Sequence, residues 1–302
     1  MQTSYYPFKS AAAEQEYVAY YTATAAKLWP VPYENIFIKT CCGPTYARVS
    51  GPKGAPALVL LPGINATSLM WAPNVAAWSK SYRVYAVDLL NDYGLSRDSR
   101  VIWKSSQFLE WLDDYFNQLG LTQPFNLLGM SYGGWLAAMY GVARPERLRK
   151  LVLIAPGAAV LRMHWSFLRR SALAGILGGQ ASSELFHWLF ADGVAHPESC
   201  LMDINDFGNC LYMGHQCVRQ RFFVYPTVLS DKEWAGLQPP TLFLVGEHEK
   251  LYDPGQALDR LHRVAPQVQT SLLPGAGHDL TMVQAGLINN QVLAFLQQEA
   301  KV

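Results

Sequence analysis

Short apolar runs separated by longer amphipathic stretches recur along this chain, and that rhythm predicts strands alternating with helices. Ala57-Leu58-Val59-Leu60-Leu61 is a continuous apolar run, and Phe125 to Leu128 and Leu151 to Ile154 are similar. Runs without polar alternation fit parallel strands buried on both faces. Tyr82 to Val87, Thr241 to Val245 and Val268 to Leu273 add three more strands. Between strands, Ser105 to Leu119 gathers Phe108, Leu109, Leu112, Phe116 and Leu119 on one side and stops at Gly120, as an amphipathic helix does. Residues 11 to 29 repeat Tyr17, Val18, Tyr20, Tyr21 and Leu28 at helical spacing before Pro30. Met70 to Lys80, Pro254 to Val264 and Leu280 to Glu299 are further helices, the last with Val283, Leu287, Val292, Phe295 and Leu296 facing inward. Ile36 to Thr40 and Tyr46 to Ser50, joined through Cys41-Cys42-Gly43-Pro44, predict a hairpin at a sheet edge. The whole reads as α/β: a mostly parallel central sheet with helices on both faces.

The rhythm breaks between residues 158 and 236. This stretch carries Trp165, Phe167, Phe186, Trp188, Phe190, Phe207, Tyr212, Phe222, Phe223 and Trp234, with no strand–helix alternation. It is expected to be a helical cap inserted over the C-terminal edge of the sheet. The core domain is then 1–157 plus 237–302, and the cap is 158–236. Most of these aromatics are expected to hold the insertion to the body, with Arg162, Arg169 and Arg170 on a solvated helix face.

Composition narrows the classes. Half of the 302 residues are hydrophobic and 16% are charged, which fits a globular chain. A net charge of +1 gives no electrostatic case for nucleic acid or an anionic membrane. No run of about 18 apolar residues occurs, so no membrane span is expected. Met1 to Ser10 lacks a basic region followed by an apolar run, which points to a cytoplasmic protein. The odd count of 5 Cys, two of them adjacent, suits reduced thiols. Cys210, His215 and Cys217 are close in sequence but fit no common zinc spacing, so no metal is expected. Buried small thiols account for them better.

The chemistry centres on Gly129-Met130-Ser131-Tyr132-Gly133, a G-x-S-x-G pattern between a predicted strand and a predicted helix. Such a turn strains the serine backbone and demands small residues two before and two after it. A serine hydroxyl needs a base, and the base needs an orienting acid. His278, in Pro274-Gly275-Ala276-Gly277-His278-Asp279, sits in a flexible loop after the last strand and is the expected base. Its acid lies in Gly246-Glu247-His248-Glu249-Lys250-Leu251-Tyr252-Asp253-Pro254. Glu249 is favoured, because a turning loop can aim it at His278. Asp253 is the alternative acid, although its position before Pro254 suits a helix N-cap. His164, His187, His196, His215, His248 and His262 lack such a context. Two backbone donors must hold the oxyanion: the N–H of Tyr132 and one from the loop after Leu61, where Ile64 is the best candidate. Asn65 could add a side-chain contact there or serve only the turn.

These pieces together resemble the α/β-hydrolase superfamily over about residues 30 to 299. Leu28-Trp29-Pro30-Val31, Thr67 to Trp71, Tyr85-Ala86-Val87-Asp88, Gly246-Glu247-His248-Glu249 and Tyr252-Asp253-Pro254 further resemble the Bacillus carboxylesterases of the naproxen-ester type. The resemblance implies a serine carboxylesterase with a helical cap and no cofactor, and it supports Glu249 as the acid. One departure is Pro62-Gly63, where that family usually carries His-Gly after the third strand. It bears on the shape and polarity of the oxyanion loop rather than on the triad. The expected partner is a small, mainly apolar ester, and a homo-oligomer is compatible with the sequence. Two rivals use the same serine arrangement or fold: a carbon–carbon bond hydrolase, and a small-molecule receptor.

Overall fold

In the computed structural model, residues 6–298 are described, apart from 197, 199, 201 and 220–222. Among them one eight-stranded sheet runs in the order β1-β2-β4-β3-β5-β6-β7-β8. The strands are β1 (Glu34–Thr40), β2 (Gly43–Ser50), β3 (Ala57–Leu61), β4 (Arg83–Val87), β5 (Phe125–Met130), β6 (Leu148–Ile154), β7 (Thr241–Gly246) and β8 (Gln269–Leu273). β1–β2 and β2–β4 pair antiparallel, and every other neighbour pairs in parallel.

Alternation along the strands divides the core into two layers. Val59, Leu61, Leu127, Leu151, Leu153, Phe243 and Val245 face one layer. Their neighbours Leu58, Leu60, Leu128, Val152, Ile154, Leu242 and Leu244 face the other. α3 (Ser105–Gln118), α4 (Ser131–Ala143) and α10 (Pro254–Val264) cover the first layer with Trp111, Trp135 and Leu261. α1 (Ala11–Leu28), α2 (Ala72–Trp78) and α12 (Ala285–Gln297) cover the second with Tyr21, Trp78 and Ile288. This arrangement is the mostly parallel sheet with helices on both faces expected from the strand–helix rhythm.

Three sequence expectations shift. Gly43 and Pro44 belong to β2, paired with Thr40 and Lys39, so only Cys41 and Cys42 form the hairpin turn. The last helix is two: α11 (Leu280–Val283) ends at Gln284, and α12 restarts at Ala285. The restart changes the helical phase. Ile288 therefore points into the core, while Leu287, expected inward, is 39% exposed. Asn289 locks this phase by pairing its side chain with Asn74 at 3.0 Å. Glu299 lies outside the described residues.

Between β6 and β7 the chain forms α5 (Trp165–Leu177), α6 (Gly179–Leu189), α7 (Ala191–Ala195), α8 (Ile204–Cys217) and α9 (Asp231–Ala235). Phe190, Phe207 and Trp234 are buried, as anchoring aromatics should be, whereas Trp165 and Tyr212 are exposed. Phe222 falls outside the described residues. Arg162 and Arg169 are exposed, but the Arg170 guanidinium lies 4.9 Å above the Trp188 ring. It is thus a packing residue rather than part of a solvated face. No helix among the described residues is long and apolar enough to cross a membrane.

Candidate active site

β5 passes into α4 without a connecting loop, and Ser131 stands at the junction with φ 53°. A left-handed φ is costly for a residue with a side chain, so the surroundings must impose it. Close backbone approach does so. A Cβ on Gly129 would lie 2.1 Å from the Gly133 carbonyl oxygen, and one on Gly133 would lie 2.2 Å from that of Leu61. Only glycine fits either place, and this is the physical content of the G-x-S-x-G pattern.

The structure brings three of the expected residues into one hydrogen-bonded line. His278 Nε2 is 2.9 Å from Ser131 Oγ, and His278 Nδ1 is 2.8 Å from Glu249 Oε2. A carboxylate only accepts, so Nδ1 carries the proton and Nε2 is left to accept from the serine hydroxyl. The other Glu249 oxygen accepts the N–H groups of Lys250 and Leu251, each at 2.8 Å. Those two amides fix the carboxylate where the chain turns after β7. All three side chains are buried. Asp253 stands apart: its carboxylate caps α10 by accepting the Gln256 N–H at 2.8 Å.

The loop after β3 presses on the serine. A Cβ on Gly63 would lie 3.3 Å from Ser131 Cβ. The Gly63 N–H donates to Met70 Sδ, and the Asn65 N–H donates to the Asp92 carboxylate at 3.0 Å. Asn65 itself holds a left-handed turn, φ 59°. Among the described residues no protein acceptor takes the N–H of Ile64 or of Tyr132. The Pro62 carbonyl accepts the Gly133 N–H at 3.0 Å and ties this loop to α4. The Tyr132 phenol donates to the Val224 carbonyl, and burial raises its pKa, with nearby Asp92 adding to the rise.

Several neighbours carried no sequence signal for this place. The Phe190 ring stands edge-on to His278 with centroids 6.5 Å apart. Asp279 is fully buried beside it; one oxygen accepts the Gly193 N–H at 2.6 Å and the other has no partner. Burial raises the Asp279 pKa, and Asp192 adds to the rise. Lys250 Nζ donates to the Trp188 carbonyl, and His248 Nδ1 lies 3.2 Å from Asp192. All of these reach from α6 and α7 to the loops holding His278 and Glu249.

No group of three or more His, Cys, Asp or Glu side chains that could hold a metal exists among the described residues. Cys210, His215 and Cys217 are therefore not gathered. The Cys210 thiol is pushed up to about 12, mainly by burial. All five cysteines are free.

The chain matches the α/β hydrolase family over residues 58–289, and it belongs to that family. Carboxylesterase YbfK of Bacillus subtilis is 33% identical over 271 residues, covering 89% of this chain and 90% of the relative. A second Bacillus subtilis carboxylesterase, nap, is 32% identical over 278 residues, covering 91% of this chain and 90% of the relative. The crystal structure of naproxen esterase from Bacillus subtilis superposes with a TM-score of 0.87 at 29% identity, covering 96% of this chain and all of that one.

Proposed function

We propose that this protein is a serine carboxylesterase whose nucleophile is Ser131, whose base is His278 and whose orienting acid is Glu249. The observation that carries the reading is the buried line from Ser131 Oγ through His278 to Glu249 Oε2, with bonds of 2.9 and 2.8 Å. Carboxylesterase relatives that span nearly the whole chain support it.

Ser131 Oγ attacks the ester carbonyl as His278 Nε2 takes its proton. The Ile64 and Tyr132 amides hold the resulting oxyanion. His278 then gives the proton to the leaving alcohol, which departs and leaves an acyl-enzyme. Water, activated by the same Nε2, releases the acid and restores the serine. Glu249 keeps the imidazole in the productive tautomer and stabilises its charge in each transition state. Every proton transfer runs through His278, so the cycle asks for no cofactor or metal. Residues 158–236 act as the cap. Phe190 beside His278 and Phe223 against the Tyr132 ring make its inner side apolar, which suits an apolar acyl or alcohol group.

The test is hydrolysis of short and medium p-nitrophenyl esters by wild type and Ser131→Ala. Wild type is expected to release nitrophenolate, and the variant to lose about 10³-fold or more in kcat/KM at unchanged Tm. Equal rates in both proteins would remove Ser131 from the mechanism.

A further inference from the structure

The loop that carries Ile64 has few internal ties. Its one internal hydrogen bond among the described residues runs from the Ala66 N–H to the Gly63 carbonyl, at 3.2 Å. What fixes it comes from outside, and much of that comes from the segment after β4. Asp88, fully buried, accepts the Ser68 N–H at 2.7 Å and the Leu95 N–H at 2.8 Å. Asp92, 8% exposed, accepts the Asn65 N–H on both oxygens at 3.0 Å and its own neighbour's N–H, Tyr93, at 2.7 Å. Two carboxylates thus strap the 62–68 loop to the 88–95 segment, and Asp92 takes the strap nearer the serine.

Placement gives this strap its consequence. Asn65 follows Ile64 directly, so the peptide plane that Asp92 holds begins at the Ile64 carbonyl. Holding that plane, with Asn65 at φ 59°, restricts the rotation that would swing the Ile64 N–H away from Ser131. On the other side, the Gly63 carbonyl, in the same peptide plane as the Ile64 N–H, accepts the Ala66 N–H at 3.2 Å, and the plane before it is held by the Gly133 N–H on the Pro62 carbonyl and by the Gly63 N–H on Met70 Sδ. Among these restraints the Asp92 carboxylate is the charged one, with both oxygens on one N–H.

We propose that Asp92 is the positioning residue of the oxyanion loop: by clamping the Asn65 N–H it aims the Ile64 N–H at the space in front of Ser131. The proposal rests on the esterase reading for its kinetic consequence, but the clamp itself is a property of the loop. It also contains a tension that makes it testable. A carboxylate on the loop that holds an oxyanion repels it, so the charge of Asp92 works against the reaction while its acceptor geometry works for it. Replacing the charge while keeping an acceptor separates the two.

The experiment compares wild type with Asp92→Asn, Asp92→Ala and Asp92→Glu on p-nitrophenyl acetate and butyrate. Asparagine keeps an acceptor oxygen at the same reach, so kcat is expected within about threefold of wild type. Alanine removes the acceptor, and kcat is expected to fall about ten- to hundredfold with KM changed less than about threefold, since a misaimed donor acts on the transition state. Glutamate keeps the charge but moves the acceptor by one methylene, and the same direction of loss is expected. Should the alanine variant fail to fold, the order asparagine fast and glutamate slow supports the clamp, and the reverse order overturns it. An alanine variant at wild-type kcat also overturns it. Amide hydrogen exchange of the 62–66 segment reads the clamp without substrate: faster exchange in Asp92→Ala, restored in Asp92→Asn, is expected. Unchanged exchange sinks the clamp whatever the activity. Wild type without esterase activity but with the expected exchange pattern sinks the esterase reading and leaves the clamp standing.

Discussion

α4 and α5 are both 13 residues long, and they live in different environments. α4 buries nearly its whole surface between β5, β6 and α3, with Trp135, Leu136, Ala137 and Ala138 fully enclosed. α5 buries only Ala174 and leaves Trp165, Ile176 and Leu177 in contact with solvent. Burial on all sides makes the position of Ser131, at the head of α4, non-negotiable. The segment containing α5 to α8 is uneven: α8 buries Ile204, Phe207 and Cys217 in the second core layer against α1, whereas α5 and α6 leave most of their surface outside the core, with Trp188 on Lys250 as one tie to the body. The geometry of the Ser131–His278–Glu249 line is thus built into the part of the molecule that packing determines most tightly, and α5 belongs to the part that packing determines least.

The sharpest way to break this contrast is within the core loop after β7, where two carboxylates four residues apart do different work. Glu249→Gln is expected to lower kcat by about 10³- to 10⁴-fold at little cost in Tm, because the wrong tautomer of His278 follows. Asp253→Ala is expected to keep kcat and to cost about 1 kcal/mol of stability, the loss of an N-cap. Rates on p-nitrophenyl butyrate and denaturant melts read the two, and an exchange of these phenotypes would reassign the acid.

Next in size is a pair across the two regions. Leu136→Ala is expected to cost about 2–5 kcal/mol, the usual figure for a sealed core leucine. Phe190→Ala removes more side chain, yet its neighbours Phe186 and Leu189 are only partly buried and can settle into the gap. Its global cost is expected to be under about half that of Leu136→Ala. The KM for medium-chain esters is expected to rise about tenfold, with kcat less affected. Phe190→Ala that destabilises as strongly as Leu136→Ala would erase the distinction between the regions.

The smallest effect is at the seam itself. The Asp279 pKa is raised in the folded protein, so the folded state holds this proton more tightly than the unfolded chain does. Stability from that proton is complete below the ordinary carboxyl range and is lost as pH rises through the raised value. Asp279→Asn carries no ionisation cost and can still accept from Gly193. Its Tm is expected to exceed that of wild type at pH 7 and to converge with it near about pH 4. A Tm difference that is flat with pH would show that the Asp279 charge is not the origin of the effect.

Much of the frame was legible because it rests on local rules. Every predicted strand occurs within a few residues, since a continuous apolar run between turn residues has few other homes. Ser131 was legible because its backbone conformation needs Gly129 and Gly133. Asp253 was legible as a cap because Pro254 follows it. The misses share a cause. Helical spacing turns Leu287 inward only if one period runs unbroken across Gln284, and the chain restarts there. Within the strand Tyr46 to Ser50, nothing near Arg48 in the sequence marks its burial. Yet it is 1% exposed, with its guanidinium within 6.0 Å of the rings of Tyr21, Trp29, Tyr33 and Tyr46. Arg170 found Trp188 in the same way. Each depends on a partner from another element.

By itself, then, the sequence determined the strand–helix rhythm, the strained serine turn, the glycine loop that carries His278 and the two candidate acids after β7, Glu249 and Asp253. These follow from backbone sterics and hydrophobic periodicity, which act over a handful of neighbouring residues. Only the tertiary structure decided which carboxylate meets His278, that Asp92 reaches across to the Asn65 amide, and that α7 lies against Asp279. Those contacts join residues 27 to 86 positions apart, brought together by burial of the sheet between its helices. Local rules carry no information about which distant partner such burial will deliver.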